Sequence, residues 1–337
     1  IIQKSSWKSQ ILHLSPTSSL AFCRTPFVVW RLKVRDLLGY GQRPPCVKWP
    51  GGAKLAISIV VNFEEGAEFA VEQGDGHNEG MSEVVSVVAD DKRDFGQEQI
   101  FSYGMRAGLW RFLDVFDMYD CKTTFFMCGR AVERVAGLAS EVVQRGHEPA
   151  CHAWRWQAHA DYDSIEKERK DLEKCVDVIS SATGRRPVGF FCRGSESPHT
   201  RKILSDLGFE YASNGLDDDL PYYHHFDDGR EPLLVVPYAL DCNDMKFFHP
   251  NGFVTADEFI RYVRNGVDVL LKEGERGFPK LLNIGLHLRI SGRPSRFAAV
   301  EEILKYLTGL GDTVWIAQRQ DIANCFRKQF PAKSNEV

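Results

Sequence analysis

Short apolar runs recur along this chain at 54–61, 123–128, 188–191, 209–212, 233–237 and 281–286, with a weaker run at 148–151 and a last at 313–316. A near-continuous apolar run of this length suits a strand covered on both faces, as in a parallel sheet. Helical patterns lie between the runs. The stretch 163–181 opens with Asp163 three residues before Glu166, puts Ile165, Leu172, Val176 and Ile179 on one face, and stops near Gly184. The same template predicts helices over 104–119, 138–145, 199–207, 256–272 and 295–307. Roughly eight strands alternating with helices, without a long linker or an internal repeat, predict one α/β domain of (β/α) barrel type. A chain of 337 residues with 43% hydrophobic content can bury a core of that size.

The ends of the runs carry the chemistry. Asn62-Phe63-Glu64-Glu65-Gly66 follows the first run, and Cys151-His152-Ala153-Trp154-Arg155-Trp156, Phe191-Cys192-Arg193-Gly194, Asn214-Gly215-Leu216-Asp217, Tyr238-Ala239-Leu240-Asp241 and Ile284-Gly285-Leu286-His287 end later ones. Strand ends are where α/β enzymes place their reacting groups, so the pattern predicts an enzyme. The Gly- and acid-rich segment 66–98 breaks the alternation directly after Glu64-Glu65. It reads either as a lid over the barrel mouth or as a disordered insertion.

Bulk properties exclude several classes. A net charge of −4 leaves no basic footprint for nucleic acid. No apolar stretch reaches the roughly 18–20 residues of a membrane span. Nine cysteines without CxxC spacing, several within apolar runs, indicate a reducing, cytoplasmic setting and no disulfide framework. Residues 1–34 differ from the rest: six serines, Lys4, Lys8, Arg24, Arg31 and Lys33, with no acidic residue before Asp36. That is the composition of an N-terminal extension, read as a disordered surface arm or an organelle-targeting segment. The domain is expected over 35–328, followed by a tail over 329–337.

Asn62-Phe63-Glu64-Glu65-Gly66, His152-Ala153-Trp154-Arg155-Trp156, Cys192-Arg193 and Leu282-Asn283-Ile284-Gly285-Leu286-His287 resemble, in order and spacing, the successive motifs of the NodB-homology, or polysaccharide deacetylase, superfamily. Further stretches resemble its intracellular branch, which includes metal-independent allantoinases: Arg35-Asp36-Leu37-Leu38-Gly39-Tyr40-Gly41, Trp49-Pro50-Gly51-Gly52-Ala53, Tyr103-Gly104-Met105-Arg106-Ala107-Gly108-Leu109-Trp110, Asp218-Asp219-Leu220-Pro221-Tyr222, Asn243-Asp244-Met245 and His287-Leu288-Arg289-Ile290-Ser291-Gly292-Arg293-Pro294. The resemblance covers about 35–328 and implies the distorted (β/α) barrel of that superfamily. It also implies a homo-oligomer.

Metal-dependent members use an Asp-Asp pair and a His-x-x-x-His pair. Here the acidic pair is Glu64-Glu65 and the second histidine position is Trp156, whose indole offers no lone pair to a metal. The expectation is therefore no metal and no cofactor, Glu65 and His152 being the ligand candidates if one binds. His159, three residues beyond Trp156, is expected to point elsewhere. The resemblance assigns Glu64 as the base, Glu65 as the group that raises its partner's pKa or binds substrate, His287 as the general acid, and Arg193 as the arginine that orients the base. His152, Trp154, Trp156, Asp217, Asp241 and Arg293 are the substrate-binding candidates. Trp154 and Trp156 share one side of an extended chain, and Arg155 is free to turn into a salt bridge. The leading expectation is a hydrolase of non-peptide C–N bonds acting on a small cyclic amide, ureide or imide such as allantoin. The alternatives are an N-deacetylase of chitin or a related glycan, and a catalytically inactive binding module.

Overall fold

The computed structural model describes residues 35–81 and 86–332, and the expectations about 1–34 and 333–337 lie outside them. The chain divides into Ile1–Gly39 and Tyr40–Val337, and the second unit carries every strand and helix named here. It runs β1 (Leu55–Phe63), α1 (Phe95–Tyr103), α2 (Leu109–Met118), β2 (Thr124–Met127), α3 (Gly129–Arg134), α4 (Ala136–Gln144), β3 (Glu148–Cys151), α5 (Ile165–Thr183) and β4 (Gly189–Phe190). There follow α6 (Thr200–Asp206), β5 (Tyr211–Ala212), β6 (Tyr222–His224), β7 (Leu233–Val235), α7 (Ala256–Glu275), β8 (Lys280–His287), α8 (Pro294–Gly309), β9 (Val314–Ile316) and α9 (Arg319–Gln329).

Each predicted run contains a strand. The sheet order is β6-β7-β5-β4-β3-β2-β1-β8, with β9 paired to the start of β1. All pairs are parallel except β6 with β7. The sheet curls into a barrel left open between β8 and β6. That seam is spanned by a Leu281 N–H bond to the Asp219 carbonyl and a single bridge between Asn243 and Gly285.

β1 is buried along its whole length, which explains why its sequence shows no alternation. Leu55, Ile57, Ile59, Val61 and Phe63 pack outward under the helices, while Ala56, Ser58, Val60 and Asn62 face the barrel interior. The interior is filled in layers. Ala56, Tyr211, Leu234, Val236 and Leu281 close the lower end together with Ile322 and Phe326 of α9. Above them the buried Arg319 bonds to Ser58, Ser213 and Asn283, and Val60, Phe126, Ala150, Phe191 and Tyr238 form the next layer. Asn62 and then Glu64 follow at the strand ends.

Four local expectations are corrected. The helix predicted over 104–119 starts at Phe95 and passes through a π turn, Gly104–Gly108, before α2. Ser164 caps α5 in place of Asp163, because its side chain accepts from the Lys167 N–H. β6, a half-buried Tyr-Tyr-His edge strand, carries no continuous apolar run and was not expected. The 329–337 tail begins inside α9, and Phe330 packs on Phe326 with ring centroids 5.1 Å apart.

Candidate active site

Glu64 follows the last residue of β1 and is 1% exposed. Its Oε1 lies 3.1 Å from His152 Nε2 and 3.4 Å from His287 Nε2, and its Oε2 accepts from Arg289 Nη1 at 2.7 Å. Three strand ends, those of β1, β3 and β8, thus converge on one carboxylate. His152 is held from behind. Its Nδ1 contacts the Phe191 carbonyl at 2.6 Å, and its ring stacks on Phe191, which in turn stacks on Tyr238. An imidazole whose Nδ1 faces only a carbonyl carries its proton there, leaving Nε2 turned to Glu64.

His287 owes its orientation to Gly285. A Cβ there would fall 2.3 Å from the Tyr238 hydroxyl and 2.5 Å from Asn243 Nδ2, so only glycine lets the Asn243-Asp244 segment lie against β8. Asp244 then meets His287 twice, accepting the backbone N–H at 2.8 Å and contacting Nδ1 at 2.6 Å. With Asp244 on one nitrogen and Glu64 on the other, the imidazolium is favoured. Burial opposes the charge, but Glu64 and Asp244 outweigh it and raise the pKa to about 9.

The two glutamates behave oppositely. Burial would raise the proton affinity of Glu64, yet His287 and Arg289 hold it well below the usual carboxylate range. Glu65 is pushed up to about 7, chiefly by burial and further by Glu64, with Arg289 opposing. Its Oε1 accepts the Arg289 N–H at 3.0 Å and its Oε2 the Glu64 N–H at 3.2 Å, so it ties β1 to the loop after β8. The expectation that Glu65 raises its partner's pKa is thereby reversed: the arginine and His287 reach Glu64 first.

The π turn seals this side. A Cβ on Gly104 would lie 2.5 Å from Glu65 Oε1 and 2.9 Å from the Arg289 nitrogen, and one on Gly108 would lie 2.2 Å from the Leu288 carbonyl oxygen. The missing side chains let the helix backbone rest directly on the loop that carries Arg289. Arg289 itself is 1% exposed, its guanidinium 4.5 Å from the Phe101 ring centroid and 4.7 Å from that of Trp156.

Arg193 is not the arginine on the base. It forks onto Glu79 at 2.7 and 3.1 Å and lies 3.8 Å from the Trp156 ring centroid. Arg289 takes the expected role because its loop leaves β8 beside β1. Both Arg289 and Asp244 were missed as site residues, although each lies inside a stretch that carries the family resemblance. The tryptophans also part company. The chain bends through 154–157, with the Gln157 N–H bonded to the Arg155 carbonyl at 2.9 Å, so 154 and 156 do not share a side. Trp154 packs by Gly129 with Lys174 Nζ 3.6 Å from its ring centroid, while Trp156 faces Arg289. Arg293 lies 3.7 Å from the Tyr103 ring centroid at the start of α8. His159 points away, as expected, and bonds to Glu168 at 2.9 Å.

Asp217 and Asp241 are brought together, but elsewhere. Both line a cavity of about 450 Å³ at the open seam, with Tyr238 and Asn283, and Glu64, His152 and His287 do not line it. The described part of 66–98 is tied to the segment after β3 and to itself. Arg155 forks onto Asp75 at 2.6 and 2.7 Å and lies over Phe69, while Asn78 bonds to the Lys92 carbonyl at 2.7 Å.

The residues do not fit a metal. Glu65 turns both oxygens to backbone N–H groups, Trp156 offers no donor, and the Arg289 cation already stands against both glutamates, at 2.7 and 3.6 Å. Among the described residues no group of three His, Cys, Asp or Glu side chains is arranged to hold one.

Comparison with known proteins places these features. A family model described as polysaccharide deacetylase matches residues 97–212. A Schizosaccharomyces pombe protein named "Putative polysaccharide deacetylase" is 32% identical over 323 residues, 90% of this chain and 99% of its own. Two crystal structures superpose with a TM-score of 0.84. One is titled "probable Polysaccharide deacetylase" from Pseudomonas aeruginosa PAO1, 38% identical over 89% of this chain and all of its own. The other is PuuE allantoinase, 37% identical over 89% of this chain and 99% of its own.

Proposed function

Because the chain belongs to the polysaccharide deacetylase family, we propose that it hydrolyses a non-peptide carbon–nitrogen bond in a small cyclic amide, ureide or imide, without a divalent metal. The observation that carries this reading is a buried ion pair, Glu64 against His287, backed by Asp244 and capped by Arg289. Glu64 is ionised at neutral pH and accepts a proton from water as its oxygen adds to the acyl carbon. His287 holds a proton on Nε2 and delivers it to the nitrogen as the C–N bond breaks. The proton on Glu64 then returns to His287 across 3.4 Å, and the ring has opened to an acid and an amine or urea nitrogen.

The enclosure supports a small substrate. Glu64, Glu65, His152 and His287 are each less than 5% exposed, whereas a polymer needs an open cleft. The relative titled an allantoinase makes a cyclic ureide the first substrate to try. Purified protein is to be assayed on allantoin, hydantoin, succinimide and chitin oligomers, with and without chelator. Turnover of a ring compound that survives chelation is expected. Turnover of chitin oligomers alone, abolished by chelation, would overturn both the substrate class and the metal-free mechanism.

A further inference from the structure

Arg289 uses only part of its guanidinium. Nη1 bonds to Glu64, but Nε and Nη2 are buried and have no hydrogen-bond partner. Those two nitrogens share one edge of the group, the side-on fork with which arginine grips oxygen acceptors. Leaving two buried N–H groups of a cation without an acceptor costs about 1–3 kcal/mol for each donor. Phe101 and Trp156, flanking the guanidinium, offer it ring faces and no oxygen. The fork therefore faces a position for an acceptor that the protein's own side chains and backbone do not supply.

We propose that the Nε/Nη2 fork of Arg289 is the oxyanion-binding site, receiving the acyl oxygen of the substrate while Nη1 of the same group holds Glu64. The inference rests on the hydrolytic reading above and deepens it. Charge balance decides which acceptor fits. Glu64 and Asp244 are matched by Arg289 and His287, so the site carries no surplus positive charge for a carboxylate ligand. A neutral carbonyl oxygen enters without that penalty. As the water oxygen adds to the acyl carbon, the C=O electron pair moves onto this oxygen, and the fork meets the new negative charge. When the C–N bond breaks, the pair returns to re-form the carbonyl and the nitrogen takes its proton from His287. A single planar group then fixes the base and the developing oxyanion in one rigid frame.

The test separates binding from turnover. Hydantoin and acetate are titrated against the full-length protein and against Arg289→Lys, which keeps a cation beside Glu64 and loses the fork. Tryptophan fluorescence is the readout, with Trp156→Phe identifying the signal of the ring next to the fork. Hydantoin is expected to bind the parent protein at least about tenfold more tightly than Arg289→Lys, and kcat on the substrate found above should fall by about 10²–10³ in that variant, the usual loss for one oxyanion donor. Hydantoin binding of that kind without hydrolysis of any ring compound would sustain the fork and sink the hydrolytic reading. Equal hydantoin affinity in both proteins, or acetate bound more tightly than hydantoin, would overturn the proposal. If Arg289→Lys does not fold, crystals of the parent protein soaked in hydantoin decide: a ring oxygen within about 3.2 Å of Nε or Nη2 supports it, and any other pose or no binding overturns it.

Discussion

Two fully buried arginines stand in one barrel and are treated in opposite ways. At the lower end, every nitrogen of Arg319 is satisfied: Nε by Ser213, Nη1 by Ser58 and Asn283, and Nη2 by the carbonyls of Val236 and Pro237. At the mouth, Arg289 meets carboxylates with one nitrogen and leaves the other two unbonded. The first is a plug whose partners are neutral, so its job ends when the barrel has folded. The second keeps its neighbours charged and part of its bonding unspent, which is useful only if something else arrives. Burial alone does not tell structure from chemistry; the state of the remaining donors does.

The comparison is most sharply tested at the mouth. Glu64→Gln should leave the fold intact and lower kcat by about 10²–10⁴, the usual share of a positioned base. A variant that unfolds together with its loss of activity would place Glu64 with the structural group. At the other end, Arg319→Met strands the hydroxyls of Ser58 and Ser213, the Asn283 amide and two carbonyls. Unfolding by urea should show a loss of about 3 kcal/mol or more, summing buried groups at about 1–3 kcal/mol each. Turnover per folded molecule should stay within about twofold, since Arg319 touches no reacting group. A large fall in kcat with unchanged stability would erase the distinction between the two ends.

pH sharpens it further. The His287 pKa is raised from 6.5 to about 9 in the fold, so the stability it contributes is fully present below pH 6.5 and is lost as pH rises through 9. Urea midpoints at pH 6.5 and 9.5 should therefore differ more for the parent protein than for His287→Gln, and equal differences would remove the buried imidazolium from the account. Asp244→Asn removes one of the two anions that raise His287. The alkaline limb of kcat/KM should move down by about one pH unit, with the fold retained. The smallest effect is expected at Trp154, which packs by Gly129 and Lys174 away from Glu64. Trp154→Phe should cost under about 1.5 kcal/mol of stability and leave kcat unchanged, whereas a selective loss of activity would return Trp154 to the site.

The barrel was legible because a strand covered on both faces is mostly apolar, and β1, β2 and β8 read that way despite interior polar residues such as Ser58, Asn62 and Asn283. β6 escaped because an edge strand of Tyr222, Tyr223 and His224 is half-exposed and owes its pairing to β7. The helix before β2 was half read, since Gly104 and Gly108 look like an end where the chain makes a π turn. At the site, Glu64, His152 and His287 were readable because each stands at a strand end in register. What the sequence does not contain is the pairing between loops. An arginine at a strand end can serve any carboxylate within reach, and Arg193 found Glu79 in the segment after β1. Arg289 and Asp244 reach the site only because the chain around β8 is pressed against β1 on one side and bridged to Asn243 on the other.

The two glycines of the π turn set a tolerance for the whole mouth. Since the Arg289 backbone nitrogen bonds to Glu65 and its guanidinium to Glu64, the spacing between that turn and the loop determines where a cation sits against an anion. A single methyl at 104 or 108 would act as a shim, displacing the loop by a few tenths of an ångström or more while adding nothing chemically reactive. The finest adjustment in this protein is thus made with two hydrogen atoms where other residues carry carbon.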